Sequence, residues 1–242
     1  AHNNTRILYP DGSAETMAYD GLGRLSTRRV YVNGSAYTTA YAYAPGAESG
    51  QTTALVQEIT QPGENHSYAY DNVGNIVSAA RNGVTTTYAY DALGQLIRVN
   101  DPNDGTWTYE YDCGGNILNK KQYAYTTGTL GTVQQIVSYA YGDADWKDKL
   151  TRYNGVDIAY DAIGNPIHDG VWTYTWENGR QLRRMACDAT IAEFVYNADG
   201  LRVQKTVNGV TTNYTLHGKN IVHMTKGNAE LHFWYDAQNR PA

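Results

Sequence analysis

The sequence predicts an all-β fold, an antiparallel meander of short strands joined by two alternating kinds of tight turn. Three observations predict it. A word of the form Tyr-x-Tyr-Asp, two residues, Gly, a polar residue and an apolar one returns at intervals of roughly twenty residues. Asn-Gly or Asp-Gly pairs stand between successive copies. No segment of useful length sustains the i, i+3, i+4 apolar period of a helix.

The word is clearest at Tyr88-Ala89-Tyr90-Asp91-Ala92-Leu93-Gly94-Gln95-Leu96. Tyr88 and Tyr90 are two apart, so on a strand they share a face. Asp91 stands where the strand ends. Its carboxylate can accept from a backbone N–H two residues on and so start a turn. Gly94 supplies a positive φ without steric cost. Leu96 opens the next strand. The opposite reversals, such as Asn33-Gly34, Asn82-Gly83, Asp104-Gly105 and Asn208-Gly209, are hairpin signals. A type I′ turn needs positive φ at both central residues, which Asn and Gly tolerate best.

In chain order, residues 1–18 hold an incomplete first unit. Tyr19-Asp20-Gly21-Leu22-Gly23 is a full motif. Residues 41–66 contain an enlarged turn around Pro45-Gly46 and Gly50. Three regular units follow, marked by Tyr70-Asp71 with Gly74, Tyr90-Asp91 with Gly94, and Tyr111-Asp112 with Gly115. Residues 126–132 read as a loop. Tyr139-Ala140-Tyr141 opens a unit that has lost its Gly, with Asp143 to Leu150 in its place. Tyr160-Asp161 with Gly164 restores the motif. Trp176-Glu177-Asn178-Gly179 is a shortened copy, and Tyr196-Asn197 with Gly200 is a variant. Tyr235-Asp236 begins a last copy in which Asn239 takes the place of Gly.

The 242 residues carry a formal net charge of −5 and a mean hydropathy of −0.56. Tyrosine is the outlier, 22 residues against 2 Phe. A dry two-layer core favours Phe, Ile and Leu, because a buried Tyr hydroxyl needs a partner. Tyrosine suits a surface packed on one side and wet on the other. Tyr68/Tyr70, Tyr88/Tyr90 and Tyr109/Tyr111 are expected to form aromatic ladders across neighbouring strands. Two cysteines, Cys113 and Cys187, do not make a disulfide framework. The chain lacks a start Met, an apolar leader and a run of apolar residues long enough to span a membrane, and reads as a piece of a longer protein.

These words resemble the YD-repeat, or Rhs-repeat, family over nearly the whole chain. The Tyr-Asp-x-x-Gly copies at Asp20, Asp71, Asp91, Asp112 and Asp161 carry the resemblance. So do the local forms at Trp146-Lys147-Asp148-Lys149-Leu150, Trp176-Glu177-Asn178-Gly179-Arg180 and Asp199-Gly200-Leu201-Arg202. The resemblance implies repeats wound as a β-sheet spiral into a hollow shell. In bacterial polymorphic and insecticidal toxins that shell surrounds a toxic C-terminal domain, and animal teneurins use a similar one as an extracellular scaffold. The expectation is a single array over residues 1–242, about ten YD-repeat hairpins curling as one sheet. Simple physics agrees. Some twenty strands about 4.8 Å apart make a ribbon on the order of 100 Å long, and open sheets of that size curl.

The implied function is structural and non-enzymatic, with a C-terminal toxin or effector of the same polypeptide as partner and a secreted or surface location. The motif residues named above, from Tyr19, Asp20 and Gly23 to Tyr235 and Asp236, are assigned the turns. A piece cut from a shell exposes edge strands and is expected to self-associate through them or to close into a small barrel-like form. The second reading is a surface adhesion array in which Trp107, Trp146, Trp172, Trp176 and Trp234 stack on glycans. Those tryptophans are sparse beside the Tyr-Asp words, which favours packing roles for them.

No cofactor or metal is assigned. Asp101-Pro102-Asn103-Asp104-Gly105 opens like a calcium loop, but Thr106 stands where the loop needs Gly, and an ordinary hairpin turn explains it. His217, His223 and His232 lack the sequence spacing of a ligand set. Nothing marks a nucleophile with its base or a phosphate loop. Basic residues are scattered in an acidic chain, which leaves no footprint for nucleic acid.

Overall fold

The computed structural model describes residues 5–235. Among them there is no helix, and hence none long and apolar enough to cross a membrane. The chain divides into two compact units, Ala1–Val137 and Ser138–Ala242.

The first unit holds β1 (Arg6–Leu8), β2 (Ala14–Tyr19), β3 (Leu25–Val32), β4 (Ser35–Pro45), β5 (Thr52–Gln61), β6 (Glu64–Tyr70), β7 (Ile76–Arg81), β8 (Val84–Tyr90), β9 (Leu96–Asp101), β10 (Gly105–Tyr111) and β11 (Ile117–Tyr123). The boundary falls inside β12 (Val133–Ala140). The second unit continues with β13 (Arg152–Tyr153), β14 (Val156–Asp157), β15 (Ala159–Tyr160), β16 (Pro166–His168), β17 (Thr173–Glu177), β18 (Gln181–Cys187), β19 (Thr190–Tyr196), β20 (Arg202–Val207), β21 (Val210–His217), β22 (Asn220–Lys226) and β23 (Ala229–His232).

In the first unit the strands hydrogen-bond in chain order, each antiparallel to the next. In the second, β12 to β14 form a short ribbon, and β15 to β23 form a nine-stranded sheet in chain order. The meander read from the turn signals is thus the observed topology.

Both kinds of turn sit where the sequence places them. Asn82 and Gly83 have φ of 50° and 84°, and Asn208 and Gly209 have 47° and 81°. Asn33-Gly34 and Asn154-Gly155 are the same. Paired positive φ values are those of the I′ hairpin, whose twist matches the strands it joins. The Asp-Gly pairs differ from that expectation. Only Gly12, Gly105 and Gly170 turn left-handed, while the Asp before each does not. The reason is that Asp uses its carboxylate to hold the turn. Asp11 Oδ1 accepts from Ser13 N at 2.9 Å, and Asp169 Oδ1 from Val171 N at 3.0 Å.

The buried core is thin. Buried apolar side chains among the described residues are Tyr9, Ala14, Met17, Trp107, Tyr123, Val137, Ala192 and Phe194. Along β6 and β19, half-buried or buried residues alternate with exposed ones, as a one-sided sheet requires. The most enclosed side chain is polar. Thr106 is fully buried; its hydroxyl donates to Thr126 O and accepts from Thr126 N, each at 2.9 Å. Arg98 adds bonds to Thr126 O and Gly128 O. The start of the 126–132 loop is therefore pinned to β9 and β10. The two cysteines are free.

Candidate functional site

The feature that recurs through both units is the Tyr-Asp turn, and its geometry follows from the motif residue by residue. In the copy at Asp91, the turn closes with Gly94 N donating to Asp91 O at 3.1 Å and Asp91 N donating to Gln95 O at 3.0 Å. The Asp91 carboxylate accepts from Leu93 N and Gln95 N, both at 2.9 Å. Gly94 has φ 78°, the left-handed value that the turn demands. Asp20, Asp71, Asp112 and Asp161 repeat the same pair of backbone bonds, and Asn197 reproduces it with an amide oxygen. Gly23, Gly74, Gly115, Gly164 and Gly200 all have positive φ.

The polar residue after the glycine has its own task. Asn75, Asn116 and Asn165 donate through their side-chain amides to the second carboxylate oxygen of Asp71, Asp112 and Asp161. Arg24 does so to Asp20 as an ion pair at 2.6 Å. These donors stabilise the charged carboxylate. The Asn75 amide holds Asp71 below the usual carboxylate range, and Asn116 does the same for Asp112. Asp20 is lowered by the Arg24 backbone N–H and its guanidinium. At Asp161 partial desolvation pushes upward, and the Asn165 bonds outweigh it. The 143–150 segment, which has lost the turn glycine, keeps a related device: Asp143 accepts from Asp145 N and Trp146 N, and the Lys149 ammonium brings its pKa down to about 2.

Tyr70, Tyr90, Tyr111 and Tyr160, each just before its turn aspartate, do something the sequence did not reveal, whereas the Tyr19 hydroxyl donates to Met17 Sδ at 3.6 Å. Each of these four hydroxyls reaches back across the neighbouring strand and donates to a backbone carbonyl in the segment that follows the previous turn. Tyr70 bonds Val56 O at 2.6 Å, Tyr90 bonds Ile76 O at 2.9 Å and Tyr111 bonds Leu96 O at 2.8 Å. Tyr43 to Leu25 O, Tyr160 to Leu150 O, Tyr196 to Leu182 O and Tyr235 to Ile221 O follow the same rule. The shortened copy keeps it with an indole, Trp176 Nε1 donating to Pro166 O at 2.7 Å.

The acceptor needs this partner. Pairing of β7 with β8 stops at Ser78 and Thr87, and Ile76 lies beyond it. A carbonyl left outside the ladder must find a donor elsewhere. A register shift at the tyrosine aims the ring. It falls at Ala69/Tyr70, Ala89/Tyr90, Glu110/Tyr111, Thr175/Trp176 and Val195/Tyr196. Such bulges re-aim a side chain and raise local twist. The expected tyrosine ladders thus give way to hydroxyl clasps, although Tyr139 and Tyr153 do meet edge to face at 5.2 Å. Three clasps are backed by a cation on the ring, Arg24 over Tyr43 at 4.1 Å, Lys149 over Tyr160 at 4.9 Å and Arg202 over Tyr196 at 5.7 Å.

Tyr19 ends β2 before Asp20, in the same place as its counterparts. Tyr235 makes its clasp, whereas Asp236 and Asn239 lie outside the described residues. The five tryptophans differ in their surroundings. Trp107 is buried under Lys120 and donates to Asp104; Trp176 is engaged in a clasp; Trp172 is half-buried; Trp146 and Trp234 are exposed. The Asp101–Gly105 segment is a hairpin turn whose carboxylates already accept from Asn103 N and Trp107 Nε1. The histidines are less scattered than their sequence spacing suggests, because strand pairing sets His223 opposite His232.

The RHS Repeat family model matches residues 70–104 and 90–129, the most regular stretch of turns and clasps. The tRNA nuclease WapA of Bacillus subtilis is 32% identical over 135 residues, 54% of this chain and 5% of that protein. The probable deoxyribonuclease RhsB of Dickeya dadantii is 25% identical over 190 residues, 74% of this chain and 12% of that protein. A solved structure of the Photorhabdus luminescens Tc holotoxin pore, in a TccC3 mutant, superposes with a TM-score of 0.51 at 18% identity, over 96% of this chain and 14% of that one. The chain therefore spans a small part of each of these relatives.

Proposed function

Because the chain belongs to the YD-repeat, or Rhs-repeat, family, we propose that it is a non-enzymatic structural segment of a secreted or surface-displayed bacterial protein. In this reading residues 1–242 are one continuous array. The array is part of a β-shell that encloses or carries a toxic C-terminal domain of the same polypeptide. The observation that carries the reading is the row of clasps. Each repeat spends its most distinctive residues, Tyr, Asp and Gly, on holding its own turn and fastening the turn before it. Residues so engaged are committed to the backbone, as a wall requires.

The relatives point the same way. Two proteins with differently named activities, a tRNA nuclease and a deoxyribonuclease, share this repeat segment. A segment common to different chemistries suits the carrier and not the chemistry, since function resides in sites added to a fold. The test is protease treatment of the full-length protein beside its C-terminal domain expressed alone. Survival of the domain inside the full-length protein, with digestion of the free domain, is the expected result. Equal digestion of both would remove enclosure from the account.

Open sheets end in strands with unpaired backbone groups, which invite a second copy. The isolated 242-residue chain is therefore proposed to self-associate edge to edge. Sedimentation that returns a monomer at all concentrations would contradict this.

A further inference from the structure

We propose that His223, Glu230 and His232 bind a divalent transition-metal ion of the zinc class on the β22–β23 hairpin. The placement follows from register. Lys226 pairs with Ala229 across the turn, Thr225 with Glu230, and His223 with His232. Side chains two apart on a strand share a face, so both histidines and Glu230 emerge together. Phe233 N donates to Val222 O, which makes the adjacent His223–His232 couple a non-hydrogen-bonded pair. Side chains of such pairs stand closest.

The distances suit a metal. Tetrahedral bonds of about 2.0–2.1 Å to nitrogen and oxygen place ligand atoms roughly 3.3–3.5 Å apart. His223 Nε2 lies 3.4 Å from Glu230 Oε2, and His232 Nε2 lies 3.9 Å from Glu230 Oε1. The three ligand atoms all fall within 4.8 Å of one another. The imidazoles are stacked, with centroids 4.5 Å apart and planes 15° from parallel. Turning the exposed His232 ring brings its lone pair toward that of His223.

The site also has an unmet need. His223 Nε2 is shut off from solvent and makes no hydrogen bond, because Glu230 stands near it outside hydrogen-bonding geometry. A buried nitrogen without a partner is costly, and a metal bond supplies one. The residues paired on the same face, Asn213, Thr215 and Thr225, are uncharged, so none of them competes as a cation for Glu230. Two imidazoles with one carboxylate select zinc-class ions over magnesium or calcium, which prefer oxygen alone. The role is a staple. The ion would tie the last described hairpin together and leave a fourth position for water.

The test is zinc titration of the metal-free protein against a chromophoric chelator, with hydrogen exchange of residues 220–232 followed in parallel. One equivalent is expected, with slower exchange in the hairpin. His232→Gln, at an exposed position, is expected to weaken binding by at least roughly tenfold, and His217→Ala to leave it unchanged. Zinc uptake no greater than that of the His223→Ala/His232→Ala double variant would overturn the proposal. So would uptake that persists undiminished in that variant, since the ion would then lie elsewhere.

Discussion

The Trp176 indole N–H donates to the carbonyl of Pro166 at 2.7 Å, a bond of the same kind as the one the Tyr90 hydroxyl makes to Ile76 O. Pro166 and Ile76 occupy the same place, two residues after the turn glycine. A tyrosine and a tryptophan, chemically different donors, thus converge on one acceptor. The donor, not the ring type, is what the position requires.

Removing a clasp donor is therefore expected to destabilise without unfolding. Tyr90→Phe and Tyr111→Phe should each cost about 0.5–1.5 kcal/mol, the net value of a hydrogen bond to a backbone carbonyl. Urea denaturation measures it. Trp176→Tyr tests the donor argument further: it is expected to retain more stability than Trp176→Phe. No difference between those two variants would mean that ring packing alone matters there.

Glycine substitutions should separate conformational cost from collision. Gly94 has open space where a Cβ would stand, so Gly94→Ala carries only the left-handed backbone cost, about 1–2 kcal/mol. At Gly105 a Cβ would fall 2.6 Å from the Tyr123 carbonyl oxygen, which is backbone. Gly105→Ala is expected to lose clearly more stability than Gly94→Ala in the same denaturation series.

Thr106→Val keeps the shape of a fully buried side chain and deletes its hydroxyl. It leaves Thr126 N without its acceptor. A loss of about 1–3 kcal/mol is expected, the cost of an unmet buried polar group. Hydrogen exchange should accelerate at Thr126 and along the 126–132 loop. Unchanged exchange there would show that Arg98 alone holds the loop.

The turn carboxylates predict an acid limit. Asp71, Asp112 and Asp161 are held below the ordinary carboxylate value of 3.8, and the Lys149 ammonium brings Asp143 down to about 2. Below 3.8 the unfolded chain binds more protons than the folded one, so this contribution is complete above that pH. It is lost as pH falls toward the folded values. Denaturation midpoints should be insensitive to these groups near neutrality and fall between about pH 4 and pH 2. Asp71→Asn and Asp112→Asn together are expected to flatten that fall.

The meander was legible because its turns are local. Gly94 and Asp91 act on residues within a few positions, and Asn82-Gly83 is a complete reversal in two residues. The clasps were not legible because Tyr90 and Ile76 are fourteen positions apart. Only strand pairing plus the register shift at Ala89/Tyr90 brings them together. Tyrosine content was rightly read as a one-sided surface, but its hydroxyl was given no acceptor, and ladders were expected instead. The Asp-Gly turns were grouped with Asn-Gly on composition, although Asp11 and Asp169 hold their turns through a carboxylate. His223 and His232 were set aside on their sequence spacing, because, as with the clasps, their proximity is set by pairing across a hairpin.

The most direct measurement compares protease sensitivity of the proposed C-terminal domain in the full-length protein and in its Tyr70→Phe/Tyr90→Phe/Tyr111→Phe variant. The account predicts that the domain survives in the parent and becomes cleavable once the turns are unfastened. Digestion at the same rate in both proteins would contradict it.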